Sequence, residues 1–270
     1  MTPQVMGLVA LLPAWLLVMF RITGIFIFAP VLGSRTIPVR IKALWTLGMS
    51  FVIFPMLLSP DRPAAVFVMD VAANGLYLWA IAGMVVMELL IGLVIGYGAS
   101  LPLLGLQVGG RVIDQQLGIG LAGIFNPELD EQSGITGEFL FLVGLALFVL
   151  MNGHRAMVQV LVASFDTFPL GGFRFDGHAL LMILGLLQVM FELAFRVAGP
   201  LLCIIFLETV ALGFIARTVP QMNILSIGFP LRILVGFGVL IGAIAGIAHI
   251  FENATVQMLD VLLRFFGGNG

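Results

Sequence analysis

Four charged side chains stand inside stretches that are otherwise apolar: Glu88, Glu192, Arg196 and Glu208. Acids at membrane depth carry a functional hypothesis by default, because an unpaired charge there is costly. Glu192 and Arg196 are four residues apart with the acid first, the order that favours a helical ion pair, and they read as a mutually neutralised pair. Glu88 and Glu208 have no such neighbour. Each either binds a proton, lines a pathway, or pairs with a distant cation such as Arg21 or Arg155.

Gly118-Ile119-Gly120-Leu121-Ala122-Gly123 matches the spacing of a dinucleotide-binding loop. That chemistry needs a preceding strand, a following helix and an acid about 20 residues on, and no such unit surrounds it. The run Gln115–Asn126 is instead small, apolar and glycine-rich between polar flanks. Irregular backbone at membrane depth survives only inside protein or beside a water-filled cavity. The segment therefore reads as a connecting loop or as a constriction lining a pore. His154, His178 and His249 lack the helically spaced partners of a metal site, and neither H-E-x-x-H nor G-x-S-x-G occurs. No catalytic, cofactor-binding or metal-binding set is visible. Cys203, the single cysteine, lies in an apolar run and excludes an internal disulfide framework.

The elements that must carry these residues follow from composition. Hydrophobic residues make up 61% of the 270, and Asp, Glu, Lys and Arg only 10%, against about 25% charged in a soluble protein. Mean hydropathy is +1.17. The composition excludes a soluble enzyme and a disordered chain. A net charge of −2 leaves no basic footprint for nucleic acid. Six apolar blocks can be read, at about 5–32, 43–59, 70–106, 138–164, 178–216 and 231–265. Helix is expected throughout, since lipid leaves no water to satisfy a lone strand. No Lys or Arg precedes Arg21, so the basic region of a cleaved signal peptide is missing and the first block is expected to be retained. If every block crosses once from an outside N-terminus, Arg35, Arg40, Lys42, Arg111, Arg217 and Arg232 fall at inner ends, and Arg62, Arg174 and Arg264 at outer ends.

The third and fifth blocks are too long for ordinary spans. The fifth would extend about 58 Å at 1.5 Å per residue, and it either breaks at Gly199–Pro200 or is one kinked helix reaching beyond the bilayer. Both read as helices packed largely on protein. Breaks are expected at Gly33–Lys42, Pro60–Pro63, Gly109–Gly137, Asp166–Gly177 and Arg217–Pro230, and Asn152-Gly153 marks a kink or helix end. Pro38-Val39-Arg40-Ile41 and Pro230-Leu231-Arg232-Ile233 each open a block, a faint echo suggesting a repeated hairpin design. Glycines spaced by four (Gly92 and Gly96, Gly105 and Gly109, Gly238, Gly242 and Gly246) allow close helix contact. The triple is expected to pack within the chain or on a partner.

The run Arg217-Thr218-Val219-Pro220-Gln221-Met222-Asn223, followed by Gly228-Phe229-Pro230-Leu231-Arg232, resembles the signature of the FliR family of flagellar type III export-gate proteins. Further stretches agree in order and spacing. They are Pro30–Arg35 with Ile37–Arg40 and Lys42, Gln116–Pro127, and Asn152-Gly153-His154 followed by Ser164-Phe165-Asp166-Thr167-Phe168-Pro169. The resemblance covers nearly the whole chain. The virulence-type secretion counterpart is less similar.

The resemblance implies an all-α subunit of kinked helical hairpins, with about six long apolar helices. Residues 1–177 would form a FliP-like part and residues 178–270 a FliQ-like hairpin. One copy would join FliP and FliQ in the export gate of the inner membrane and flagellar basal body, next to a FlhB-type component and membrane lipid, and would pass unfolded flagellar chains. The plug would be Gly118, Ile119, Gly120, Leu121, Ala122, Gly123, Ile124 and Phe125. Family members often carry an aromatic where this chain has Leu121; a leucine can still seal there, and Phe125 remains as a further sealing candidate. A cytoplasmic-end loop would include Arg217, Pro220, Gln221, Met222, Asn223, Pro230 and Arg232, its arginines meeting acidic partners or lipid headgroups, or serving as positive-inside anchors. No enzymatic activity or cofactor is implied, and the energy for export comes from elsewhere in the apparatus. The competing reading is a secondary transporter for a small solute, which also uses broken helices and intramembrane acids.

Overall fold

The computed structural model describes residues 3–34, 37–59, 62, 67, 78–119, 134–173, 176–219 and 224–268. Those residues form seven helices and no strand. They are α1 (Pro3–Phe28), α2 (Val39–Leu57), α3 (Leu78–Leu117), α4 (Ile135–Leu150), α5 (Gly153–Thr167), α6 (Gly177–Thr218) and α7 (Ile224–Gly267). Five are long and apolar enough to cross a membrane, and counting the bent pair α4 and α5 as one span gives six. The all-α, membrane-type architecture is the one expected from the apolar blocks.

Two boundaries differ from the sequence reading. The helix of the third block does not end before Gly109 but runs on through Gly109 and Gly110 to Leu117. A mid-helix glycine costs about 1 kcal/mol, and close packing offsets that here. Gly105 lies against Met190 and Leu193, Gly109 against Ala194 and Val197, and Gly110 against the backbone of Gly137. Of the two readings of the fifth block, the structure selects the unbroken one, for α6 is continuous through Pro200 over 42 residues. Pro230 does not open the last helix. It lies in the second turn, because α7 starts at Ile224, whereas Pro38 immediately precedes α2 as its N-cap. The apparent echo is a match of letters at different positions in the two helices.

The fourth block divides at Asn152, whose φ of 58° is left-handed. Asparagine tolerates that conformation better than most residues, and α5 starts on its far side.

The chain clusters into two compact units, and α3, α6 and α7 contribute to both. One unit comprises Met1–Leu101, Asn152–Leu186 and Val256–Gly270. Its core includes Leu17, Ile22, Ile91, Ile95, Phe165 and Phe266, all essentially inaccessible. Within it α1 crosses α3 at a glycine contact. Gly92 meets the Arg21 carbonyl and Gly24, and Gly96 meets Ile25 and Ala29. The other unit comprises Pro102–Met151 and Leu187–Thr255. It buries Leu103, Leu106, Leu140, Phe148, Leu201 and Phe251 together.

Much apolar surface stays uncovered. Phe195, Phe206 and Phe214 of α6 and Leu234 and Ile241 of α7 are each about two-thirds exposed or more. The overlong α6 is thus not packed mostly on its own chain. Of the two settings expected for Gly238, Gly242 and Gly246, packing within the chain is not found, for among the described residues nothing lies within 4 Å of where their side chains would begin. Exposed apolar area costs about 25 cal/mol per Å² in water, so these faces call for lipid or protein.

Candidate functional site

The segment assigned to the plug leaves α3 through a glycine-terminated helix end. Gly118 has φ 77°. Its N–H donates to the Gln115 carbonyl at 3.2 Å, and the Ile119 N–H donates to the Asp114 carbonyl at 3.2 Å. This is a Schellman end, with glycine at the left-handed position because a Cβ there is strained. The first glycine of the GxGxxG match is therefore a helix stop. Gly120, Leu121, Ala122, Gly123, Ile124 and Phe125 lie outside the described residues.

The chain re-enters the described structure at Gly134, the N-cap of α4. Both carboxylate oxygens of Asp114 accept from the Thr136 N–H, and one also accepts from the Gly137 N–H, all at 3.1 Å. These donors belong to the first turn of α4, where a helix cannot satisfy its own N–H groups. A carboxylate there also meets the positive end of the helix dipole. Asp114, only 3% exposed, thus holds residue 119 with its backbone and residues 136 and 137 with its side chain. It pins both ends of the segment between them. Gly134 has no room for a Cβ beside that carboxylate. Asp114 was not singled out from the sequence, because its partners lie 22 and 23 residues away.

Glu88 sits at a different kind of centre. It and Arg21 are both fully buried and form an ion pair at 2.5 Å. Arg21 also donates to Ser164 Oγ at 3.0 Å and to the Phe168 carbonyl at 2.9 Å. Its guanidinium carbon lies 4.1 Å from the centre of the Phe165 ring. The second oxygen of Glu88 accepts from the Gly171 N–H at 2.9 Å. Of the two distant cations open to Glu88, the structure selects Arg21. Every polar group of the pair is engaged by protein, which makes this a joint between α1, α3 and the α5 end.

Glu208 is held more loosely. Its carboxylate is 7% exposed and 3.6 Å from Arg232 Nε, and among the described residues neither oxygen has a hydrogen-bond partner. Arg232 spends its donors on Thr209 Oγ1 at 3.0 Å and the Gln116 carbonyl at 3.4 Å. It therefore ties α7 to α6 and to the end of α3. Of the expected cytoplasmic-end loop, Arg217 is in the last turn of α6, while Pro230 and Arg232 are inside α7. Pro220, Gln221, Met222 and Asn223 lie outside the described residues. Glu192 and Arg196 pair at 2.5 Å on an outward face, 48% and 63% exposed. Among the described residues no cluster of three or more metal-ligating side chains occurs.

The model of a known family, the bacterial export proteins, family 1, matches residues 12–258. The chain belongs to that family. Similar proteins include the flagellar biosynthetic protein FliR of Bacillus subtilis, 29% identical over 271 residues, covering 97% of this chain and 98% of the relative. FliR of Escherichia coli (strain K12) is 27% identical, covering 90% and 89%. FliR of Aquifex aeolicus is 26% identical, covering 93% and 92%. A chain of the FliR family is a bacterial export protein of flagellar biosynthesis, built of membrane-type helices and belonging to the membrane-bound flagellar apparatus. The solute-transporter alternative finds no support in these relatives.

Proposed function

We propose that this chain is a non-enzymatic subunit of a hetero-oligomeric export gate in the bacterial inner membrane, and that unfolded flagellar proteins pass through a conduit it helps to form. Its partners are FliP- and FliQ-type subunits and a FlhB-type gate component. Residues 1–177 supply the FliP-like part and residues 178–270 the FliQ-like hairpin.

The observation that carries this reading is the uncovered surface. Only 22% of the apolar length of α6 and 17% of that of α7 is buried by the chain itself. Among the uncovered positions are the ion pair Glu192–Arg196 on α6 and open glycines on α7. Lipid alone is a poor cover for an ion pair, whereas open glycines suit the close approach of another helix.

The segment Gly118–Phe125 closes the resting conduit by excluding water and ions, and it moves aside for a substrate chain. Its support is a glycine-rich apolar sequence that begins at the helix end held by Asp114, the same aspartate that receives the chain again at Thr136 and Gly137. Deleting residues 120–124 is expected to raise resting ion leak through the assembled gate while assembly persists. Conductance of membranes carrying the complex reads this directly. Unchanged leak and unchanged export in that variant would remove the plug role.

A further inference from the structure

The first 60 residues contain four cations, Arg21, Arg35, Arg40 and Lys42, and no Asp or Glu. Arg21 is neutralised by Glu88. Arg40 is exposed and Lys42 half-buried in the first turn of α2, and neither forms an ion pair among the described residues. The same turn has no side-chain cap and no acid, so its free N–H groups and dipole add to the positive field.

Between α1 and α2 lies a groove of about 620 Å³ lined by Met19, Phe26, Ile27, Ala43 and Leu47, with Lys42 at its wall. That volume falls within the roughly 300–1,000 Å³ of ligand pockets. The two threonines in the groove spend their hydroxyl protons on their own helices, Thr23 on the Met19 carbonyl at 2.8 Å and Thr46 on the Lys42 carbonyl at 2.9 Å. Lys42 Nζ donates to the Gly33 carbonyl at 3.0 Å, which uses one ammonium proton and leaves the others. Trp45, 56% exposed, stands one turn further along α2, the kind of residue that settles at headgroup level.

We propose that this groove binds an anionic phospholipid, its acyl chain along the α1–α2 groove and its phosphate at Lys42. An apolar channel beside uncompensated positive charge is complementary to an anionic amphiphile. A zwitterionic lipid brings its phosphate together with a cation of its own and so adds no net negative charge, and free phosphate leaves the groove empty. The proposal stands apart from the plug reading and requires only that the chain resides in a membrane.

The test uses the complex as extracted from its membrane and placed in nanodiscs of mixed phosphatidylglycerol and phosphatidylcholine, with retained lipid read by native mass spectrometry. The expected result is selective retention of phosphatidylglycerol. Lys42→Ala is expected to weaken it about fivefold. Ala43→Phe, which fills the groove and keeps both cations, is expected to displace the lipid as well. Equal retention of both lipids overturns the proposal. So does wild-type retention in either variant. A cross-link from Ala43→Cys to a neighbouring subunit overturns it too, since a protein helix then occupies the groove.

Discussion

Glu88→Ala is expected to prevent accumulation of the folded chain. It leaves the Arg21 guanidinium fully buried without its counter-charge, and it strips the Gly171 N–H of its acceptor. Breaking a buried pair from one side costs about 3–5 kcal/mol, and an orphaned N–H adds about 1–3 kcal/mol. A domain has only about 5–15 kcal/mol to lose. Removing both charges with Arg21→Met and Glu88→Leu is expected to restore part of the loss, because no uncompensated charge then remains. Recovery is incomplete, since Ser164 Oγ and the Phe168 carbonyl lose the donor they share. Thermal unfolding followed by tryptophan fluorescence ranks the variants. A proton-carrying Glu88 predicts the opposite pattern, with full stability, lost export and no rescue by the double change.

Gly92→Ala is expected to destabilise the same joint by a different route. A Cβ at residue 92 overlaps the Arg21 carbonyl oxygen and crowds Gly24 Cα. Both are backbone atoms that cannot swing away, so α1 must move off α3. Overpacking of this kind costs about 1–3 kcal/mol. Because the clash falls on Arg21 itself, the loss is expected to be non-additive with Glu88→Ala in a double-mutant cycle. Gly238→Ala is the control. It meets open space within the chain, so helix propensity alone favours it by about 0.8–1.0 kcal/mol. If Gly238→Ala instead blocks assembly while leaving the isolated chain intact, a partner helix lies on that face.

Composition and hydrophobic blocks made the membrane-type helices legible, because burial in lipid imposes one backbone solution. The i,i+4 pair Glu192–Arg196 was legible because helical spacing alone brings it together. The Asn152 break was legible because asparagine tolerates the left-handed turn that ends a helix. Long-range chemistry was not. Arg21 meets Glu88 across 67 residues and Ser164 across 143, and no local pattern encodes that choice. The stretch Ser164–Pro169 carried the family resemblance without a reason. The structure supplies one, since Ser164, Phe165 and Phe168 together receive the Arg21 guanidinium. The glycines were legible in part. Those at 92, 96, 105 and 109 make the close helix contacts that their spacing allows, although Gly109 was expected to begin a break and lies within a helix. Of the two settings expected for Gly238, Gly242 and Gly246, contact within the chain is not found among the described residues, which leaves contact with a partner.

On the proposed function, this chain completes its structure only as part of a larger gate. Native mass spectrometry of the detergent-extracted protein, tagged and expressed with the proposed FliP- and FliQ-type partners, measures that assembly. The expected result is a large hetero-oligomer holding a single copy of this chain, with the apolar faces of α6 and α7 protected from labelling. A stable monomer or homodimer in the presence of those partners would contradict it.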